Sequence, residues 1–196
     1  TIYNALAAFS GQVVAGREAV NLMPFGRGTL LKDWHGQAYV LQTILNDYPR
    51  SESSSDAERT LKRSARALAP LPGSKSIVVI TDGETVHDGS MWKEMREVRP
   101  QIFGVHVAGS AAWHQDVFED WASVNGGHYT QLVYQGEMEV AFDRAATLMR
   151  RPADYTIEAR SEFRKAPGPG KLRVVAGGKK AAASGRAVAL IFDASG

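Results

Sequence analysis

Apolar residues in this chain fall into short unbroken runs that alternate with longer amphipathic stretches. The runs, such as SIVVI and VALIF, are rich in β-branched residues, which is typical of strands buried on both faces of a sheet. This pattern predicts strands at residues 18–25, 76–80, 102–107, 129–133 and 188–192, and it allows a shorter strand at 29–34.

Between these runs, apolar residues recur with helical spacing. The clearest pattern begins at Met138 and repeats at i, i+3, i+4 and i+7 until Pro152. Ser55 and Glu58 match an S-x-x-E capping box at the start of another helix. Helices are predicted over residues 38–46, 56–69, 91–98, 116–124 and 138–149, and a first helix begins near Ile2, with its exit bracketed by Gly11 and Gly16. The alternation favours an α/β fold with a doubly wound, mostly parallel sheet and helices on both faces.

The pattern changes after Pro152. Residues 155–163 alternate between apolar and polar, as a half-exposed antiparallel strand does, and a partner strand is predicted at 172–175 after the turn APGPG. Residues 177–186 are typical of a linker. A C-terminal β-hairpin extension with its linker is therefore expected over 152–187, before the last apolar strand.

Composition and motifs narrow the range of functions. Lys and Arg number 23 against 21 Asp and Glu, so no basic face for nucleic acid is indicated. No run approaches ~18 apolar residues, so no membrane span is predicted. Cysteine is absent, which excludes thiolate chemistry in this chain. Without an HExxH, G-x-S-x-G, Walker or G-x-G-x-x-G motif after a strand, an enzyme is not expected.

Two predicted strands end in an aspartate, in VVITD and VALIFD, and open α/β sheets bind ligands at the carboxyl ends of their strands. The aspartates are Asp82 and Asp193, and Ser195 follows the second. Ser55 closes a hydroxyl-rich loop ahead of the predicted helix at 56–69. Carboxylate and hydroxyl oxygens are ligands that Mg²⁺ or Mn²⁺ prefers, so these segments predict a cation site if they converge.

These segments also resemble a known motif. IFDASG is similar to the opening of the metal-ion-dependent adhesion site (MIDAS) of von Willebrand factor A (VWA) domains, Asp-x-Ser-x-Ser after their first strand. SSSD resembles the second segment, where the family usually has Thr, VVITDG the third, and NLMPFG the family's second strand. The resemblance covers about residues 1–150 and the final strand. It implies metal ligands at Asp193 and Ser195, at Ser55, and at Asp82.

The resemblance implies a binding module without turnover. A Mg²⁺ or Mn²⁺ ion would keep one coordination position for an exposed Asp or Glu of a partner protein, in adhesion or assembly. A second hypothesis is a structural VWA-like domain whose incomplete site binds no metal. A third is a phosphatase of the haloacid dehalogenase type, whose opening strand VALIFDASG resembles. That family has a second Asp two residues after its nucleophile, whereas Ser195 stands there in this chain.

The order of the segments departs from the family, because the first segment comes last. Residues 1–151 are expected to form a VWA-like domain that lacks its own first strand, and 188–196 to be the first strand of a VWA domain. In a tandem arrangement, which the segment order favours for the natural protein, that strand begins the next domain. In a permuted arrangement it fills the gap in this sheet, or in that of a second molecule by strand exchange or homodimerisation. A gap left open would expose unpaired backbone groups.

Overall fold

The computed structural model describes residues 2–25, 31–47, 56–81, 87–107, 115–132, 134–150 and 186–192. Its strands are β1 (Glu18–Pro24), β2 (Ser74–Thr81), β3 (Gln101–Val107), β4 (His128–Leu132) and β5 (Arg186–Phe192). Its helices are α1 (Ile2–Gly11), α2 (Ala38–Asp47), α3 (Ala57–Leu68), α4 (Trp92–Val98), α5 (Gln115–Val124) and α6 (Met138–Arg150), with a 3-10 turn at Gln135–Glu137. The predicted α/β fold is confirmed.

The last strand of the chain lies in the middle of the sheet. The strand order is β1-β5-β2-β3-β4, and all four pairings are parallel. Leu190 stands opposite Leu22 on one side and Val78 on the other. Of the places that the sequence leaves open for this strand, the structure has it inside the sheet of the same chain. A tandem arrangement in the natural protein stays a prediction.

Helices cover both faces of this sheet. Alternate residues of each strand point to opposite sides, so the apolar strands present side chains to be buried on both faces. On one face, Leu190 and Val188 join a core that includes Phe9 of α1, Leu41 of α2 and Phe142 of α6. On the other face, Ala189 belongs to a core built by α3, α4 and α5, with Leu61, Met95 and Trp121. Strand β5 therefore contributes to both cores at once. No helix in the described residues is long and apolar enough to span a membrane.

An ion pair ties the end of α6 to the start of β1. The Nε of Arg150 lies 2.9 Å from Oε1 of Glu18, whose side chain is only 6% exposed, and Val14 donates its N–H to the same carboxylate. Glu18 stands opposite Arg186 in the register of β5. The end of α6 and the start of β5 therefore lie at the same edge of the sheet.

Some predicted elements differ from the structure. Residues 31–34 form no strand, and only His35 makes an antiparallel bridge, to Val20. Helix α1 ends at Gly11, the first of the two glycines that bracket its predicted exit. The predicted hairpin and linker over 152–187 lie outside the described residues, apart from the first two residues of β5.

The central place of β5 can be tested by removing one of its buried side chains. Leu190 is 0% exposed, so Leu190→Ala should lower the free energy of unfolding by about 3 kcal/mol, as large-to-small changes in a core do. Val140→Ala on α6, where the side chain is 71% exposed, is the matched control and should change it by less than ~0.5 kcal/mol. Urea denaturation measures both. Equal stabilities for Leu190→Ala and the wild type would mean that β5 lies outside the sheet.

Candidate functional site

Strands β5 and β2 end side by side at the carboxyl edge of the sheet. Phe192, the last residue of β5, stands opposite Ile80, so Thr81 lies at the next position along β2. If β5 is counted first, the strand order becomes 2-1-3-4-5, one of the two common orders of doubly wound sheets. The order reverses between β5 and β2. Such a switch point is where open α/β sheets form their ligand-binding crevice.

The four predicted metal ligands, Asp82, Asp193, Ser195 and Ser55, lie outside the described residues. Their described neighbours can be placed. Asp82 follows Thr81 of β2 and Asp193 follows Phe192 of β5, so both come directly after the adjacent ends of paired strands. Ser55 directly precedes Asp56 at the start of α3. The structure therefore brings together the strand ends that precede the two aspartates.

The predicted capping box of Ser55 and Glu58 at the start of α3 is wrong. The N-cap is Asp56, whose Oδ1 accepts a hydrogen bond of 2.8 Å from the N–H of Arg59. Ser55 is therefore not the cap, and Glu58 does not reach back to a cap residue. Asp and Ser are about equally good N-caps, and a carboxylate also suits the positive end of the helix dipole, so sequence alone does not separate the two positions.

Glu58 instead binds the chain that follows β2. Its Oε2 accepts N–H bonds from Asp88 at 2.9 Å and Gly89 at 3.1 Å and lies 2.9 Å from Nδ1 of His87, while Oε1 accepts from the N–H of Met91 at 2.8 Å. The Glu58 side chain is 4% exposed. A buried carboxylate needs such partners, because an unsatisfied one is costly. Sequence reasoning missed this role.

The loop bound by Glu58 (residues 87–91, the anchored loop) is shaped by two further features. Gly89 has φ +73°, a left-handed conformation that favours glycine. Asp88 accepts a bond of 2.8 Å from the N–H of Ser90. Hydrogen bonds from the hydroxyl and the N–H of Ser90 lower the pKa of Asp88 to about 2. Asp88 is therefore ionised at neutral pH.

A polar cleft of about 300 Å³ separates α3 from the anchored loop. Across it, the Nζ of Lys62 donates to the hydroxyl of Ser90 at 3.2 Å. Its lining carries charges of both signs and consists of Asp56, Glu58, Arg59, Lys62, Asp88 and Ser90. No group of three or more acidic or histidine side chains in the described residues is arranged to hold a metal ion.

Aromatic rings support the anchored loop from the other side. The ring of His87 meets Trp121 of α5 edge-on at 5.6 Å between centroids, and Trp121 meets Phe118 in the same way at 5.0 Å. Trp121 is 1% exposed, whereas 34% of the His87 side chain is exposed. His87 thus links the surface of the anchored loop to the core under α5.

The Ser90 hydrogen bonds can be tested through the pKa of Asp88. Because the folded-state pKa is below the ordinary 3.8, ionised Asp88 stabilises the folded domain above about pH 4. That contribution is lost as the pH falls through about 2. Ser90→Ala should move the carboxyl titration of Asp88, followed by NMR, up towards 3.8. A midpoint near 3.8 already in the wild type would contradict this account.

Comparison with known proteins assigns this chain to no family. No protein-family model matches the chain, and no curated protein matches it. The likeness to VWA domains therefore rests on the sequence segments IFDASG, SSSD, VVITDG and NLMPFG alone. What the structure adds is an α/β fold with five parallel strands, consistent with a Rossmann-like architecture.

Proposed function

We propose that this chain is a metal-ion-dependent protein-binding domain of the VWA type. In this proposal Asp82, Asp193, Ser195 and Ser55 hold a Mg²⁺ or Mn²⁺ ion. The ion keeps one coordination position for the carboxylate of an Asp or Glu on a partner protein. The observation that carries the proposal is the parallel pairing of β5 with β2 up to Phe192 and Ile80.

That pairing supports a shared site because the two aspartates leave the sheet from neighbouring strands. Parallel strands lie about 4.8 Å apart, so residues at adjacent strand ends begin within the reach of one cation's ligand sphere. In the sequence, the segment that resembles the family's first one comes last instead of first. With β5 between β1 and β2, Asp193 follows the strand that the family resemblance numbers first. The departure in chain order is then a permutation of the same arrangement.

The start of α3 supports the contribution of Ser55. Glu58 lies in the first turn of this helix and binds the anchored loop, which follows β2 at the carboxyl edge. The first turn of α3, which comes directly after Ser55 in the sequence, is therefore bonded to residues 87–91, which come after Asp82 in the sequence. The donor set of two carboxylates and two hydroxyls consists of hard oxygen ligands, which suit Mg²⁺ and Mn²⁺.

In this proposal the site binds its partner without turnover. The cation would supply a Lewis-acidic position for a partner carboxylate, and neighbouring side chains would supply the remaining contacts. Arg59 and Lys62 line the cleft beside α3 together with Asp56, Glu58 and Asp88, so the cleft offers a partner charges of both signs.

A second candidate is a structural VWA-like domain that contacts other domains without metal. Two sequence features favour it: serine stands where the family usually has threonine in the second segment, and the motif is split between the two ends of the chain. In both candidates residues 151–185 link α6 to β5 along the chain.

Calorimetric titration with Mg²⁺ and with Mn²⁺ separates these two candidates. The wild type should bind one ion, and Asp82→Ala should weaken binding at least ~100-fold, since loss of a direct ligand should cost at least as much as loss of an outer-shell partner. Asp193→Ala should have the same effect. Asp143→Ala on the exposed side of α6 is the control and should bind like the wild type. No heat with any of the four proteins would leave the structural candidate.

A further inference from the structure

Helix α4 presents one stripe of side chains to an open groove beside the end of α5. The stripe consists of Trp92, Met95, Arg96 and Arg99, which stand at positions i, i+3, i+4 and i+7 of the helix and therefore share a face. These four residues line a groove of about 240 Å³ (the α4 groove). Val124, the last residue of α5, also lines it and is 70% exposed.

The α4 groove combines an apolar floor with a charged rim. Met95 is 1% exposed, Pro100 is buried and Trp92 is half-buried, whereas Arg96 and Arg99 are exposed. Trp, Met and Arg are residue types that are enriched at contacts between proteins. The volume of the groove is below the ~300–1,000 Å³ typical of pockets for small molecules. The groove therefore suits a single anchor side chain of a partner protein better than a whole cofactor.

The charged rim of the α4 groove has one sign. No carboxylate is among the lining residues that the structure describes, although α4 also contains acidic residues. One of these, Glu94, lies off the stripe and pairs with Arg66 of α3 at 2.6 Å. None of the described ion pairs involves Arg96 or Arg99. Two guanidinium groups are therefore available to carboxylates of a partner, which arginine binds well.

Arg99 has a backbone conformation that glycine adopts at less cost. It ends α4 with φ +52° and ψ +50°, and its N–H donates to the carbonyl oxygen of Met95. Within the described ranges it is the only residue other than glycine with a positive φ. Glycine is the usual residue in this conformation at helix ends. Arg96 already places a positive charge in the last turn of α4, so the helix dipole alone does not account for an arginine at this strained position.

We propose that the α4 groove binds an acidic peptide segment of a partner protein through one apolar anchor side chain. The anchor, a leucine or phenylalanine, packs on Trp92 and Met95. Aspartate or glutamate side chains that flank it pair with Arg96 and Arg99. This site goes beyond the proposed function, because it needs no metal ion and shares no lining residue with the cleft beside α3.

The test is an NMR titration of the protein with the peptide acetyl-GDEFDEG-amide. EDTA is present throughout, so that the result does not depend on the proposed cation site. The indole N–H signal of Trp92 and the backbone N–H signals of Val124 and Asn125 should shift on binding. Replacing the phenylalanine of the peptide by serine should weaken binding about 10- to 100-fold, because the buried apolar area is lost. Replacing its acidic residues by asparagine and glutamine should weaken binding about fivefold, and added salt should weaken only the acidic peptide.

Variants of the protein test the same groove. Arg99→Gly should bind the peptide about two- to fivefold more weakly and melt about 2 °C higher, because glycine relieves the left-handed conformation. Val124→Glu adds a carboxylate at an exposed position of the rim and should weaken binding at least ~10-fold. Arg17→Ala removes an exposed arginine ahead of β1, outside the groove, and should bind within about twofold of the wild type.

Three results would overturn the inference. The first is that the wild type binds no peptide at millimolar concentration, or binds it without shifting the signals of the α4 groove. The second is equal binding of the acidic and the neutral peptides. The third is that Arg99→Gly binds like the wild type and melts at a lower temperature, because Arg99 would then serve only to end the helix.

Discussion

Backbone pairing on both sides of β5 is the interaction on which the rest of the domain depends. All seven residues of β5 stand opposite residues of β1 and of β2, and in the described residues β1 joins the sheet only through β5. Without this strand, β1 and β2 would face each other across a gap two strand spacings wide, with unpaired N–H and C=O groups on both edges. Both cores would also lose their centre, since Leu190 packs on one face and Ala189 on the other.

The same pairing determines the candidate site. A ligand crevice forms where the strand order reverses, and that point exists here only because β5 lies between β1 and β2. Glu58 then connects the edge of the sheet to α3. The fold and the proposed cation site therefore depend on the same strand. Strand β5 completes the sheet, and Asp193 comes directly after it in the sequence.

The amino-acid pattern was sufficient for the elements but not for their arrangement. The β-branched run in β2 and the helical periodicity of α6 each predict their element within a few residues, because burial of apolar side chains sets both patterns. The neighbours of β5 do not follow from its sequence. A strand that is apolar on both faces fits any buried position in a sheet. Its neighbours are fixed by backbone pairing, which the pattern of side chains does not reveal.

The role of Glu58 was predicted wrongly for a related reason. Its partners are mostly backbone N–H groups, and the sequence S-x-x-E fits a capping box equally well. The strand ends before Asp82 and Asp193, by contrast, can be recognised in the sequence. The role of these two aspartates as metal ligands stays a prediction.

Amide hydrogen exchange of Val188, Ala189 and Leu190, measured by NMR on a sample shown to be monomeric, tests the central claim most directly. If β5 completes the sheet of its own chain, these amides should exchange as slowly as those of Val78 and Val79 in β2, because all of them open only with the whole domain. Exchange at the rate of an unfolded chain, or protection that appears only in a dimer, would contradict the account.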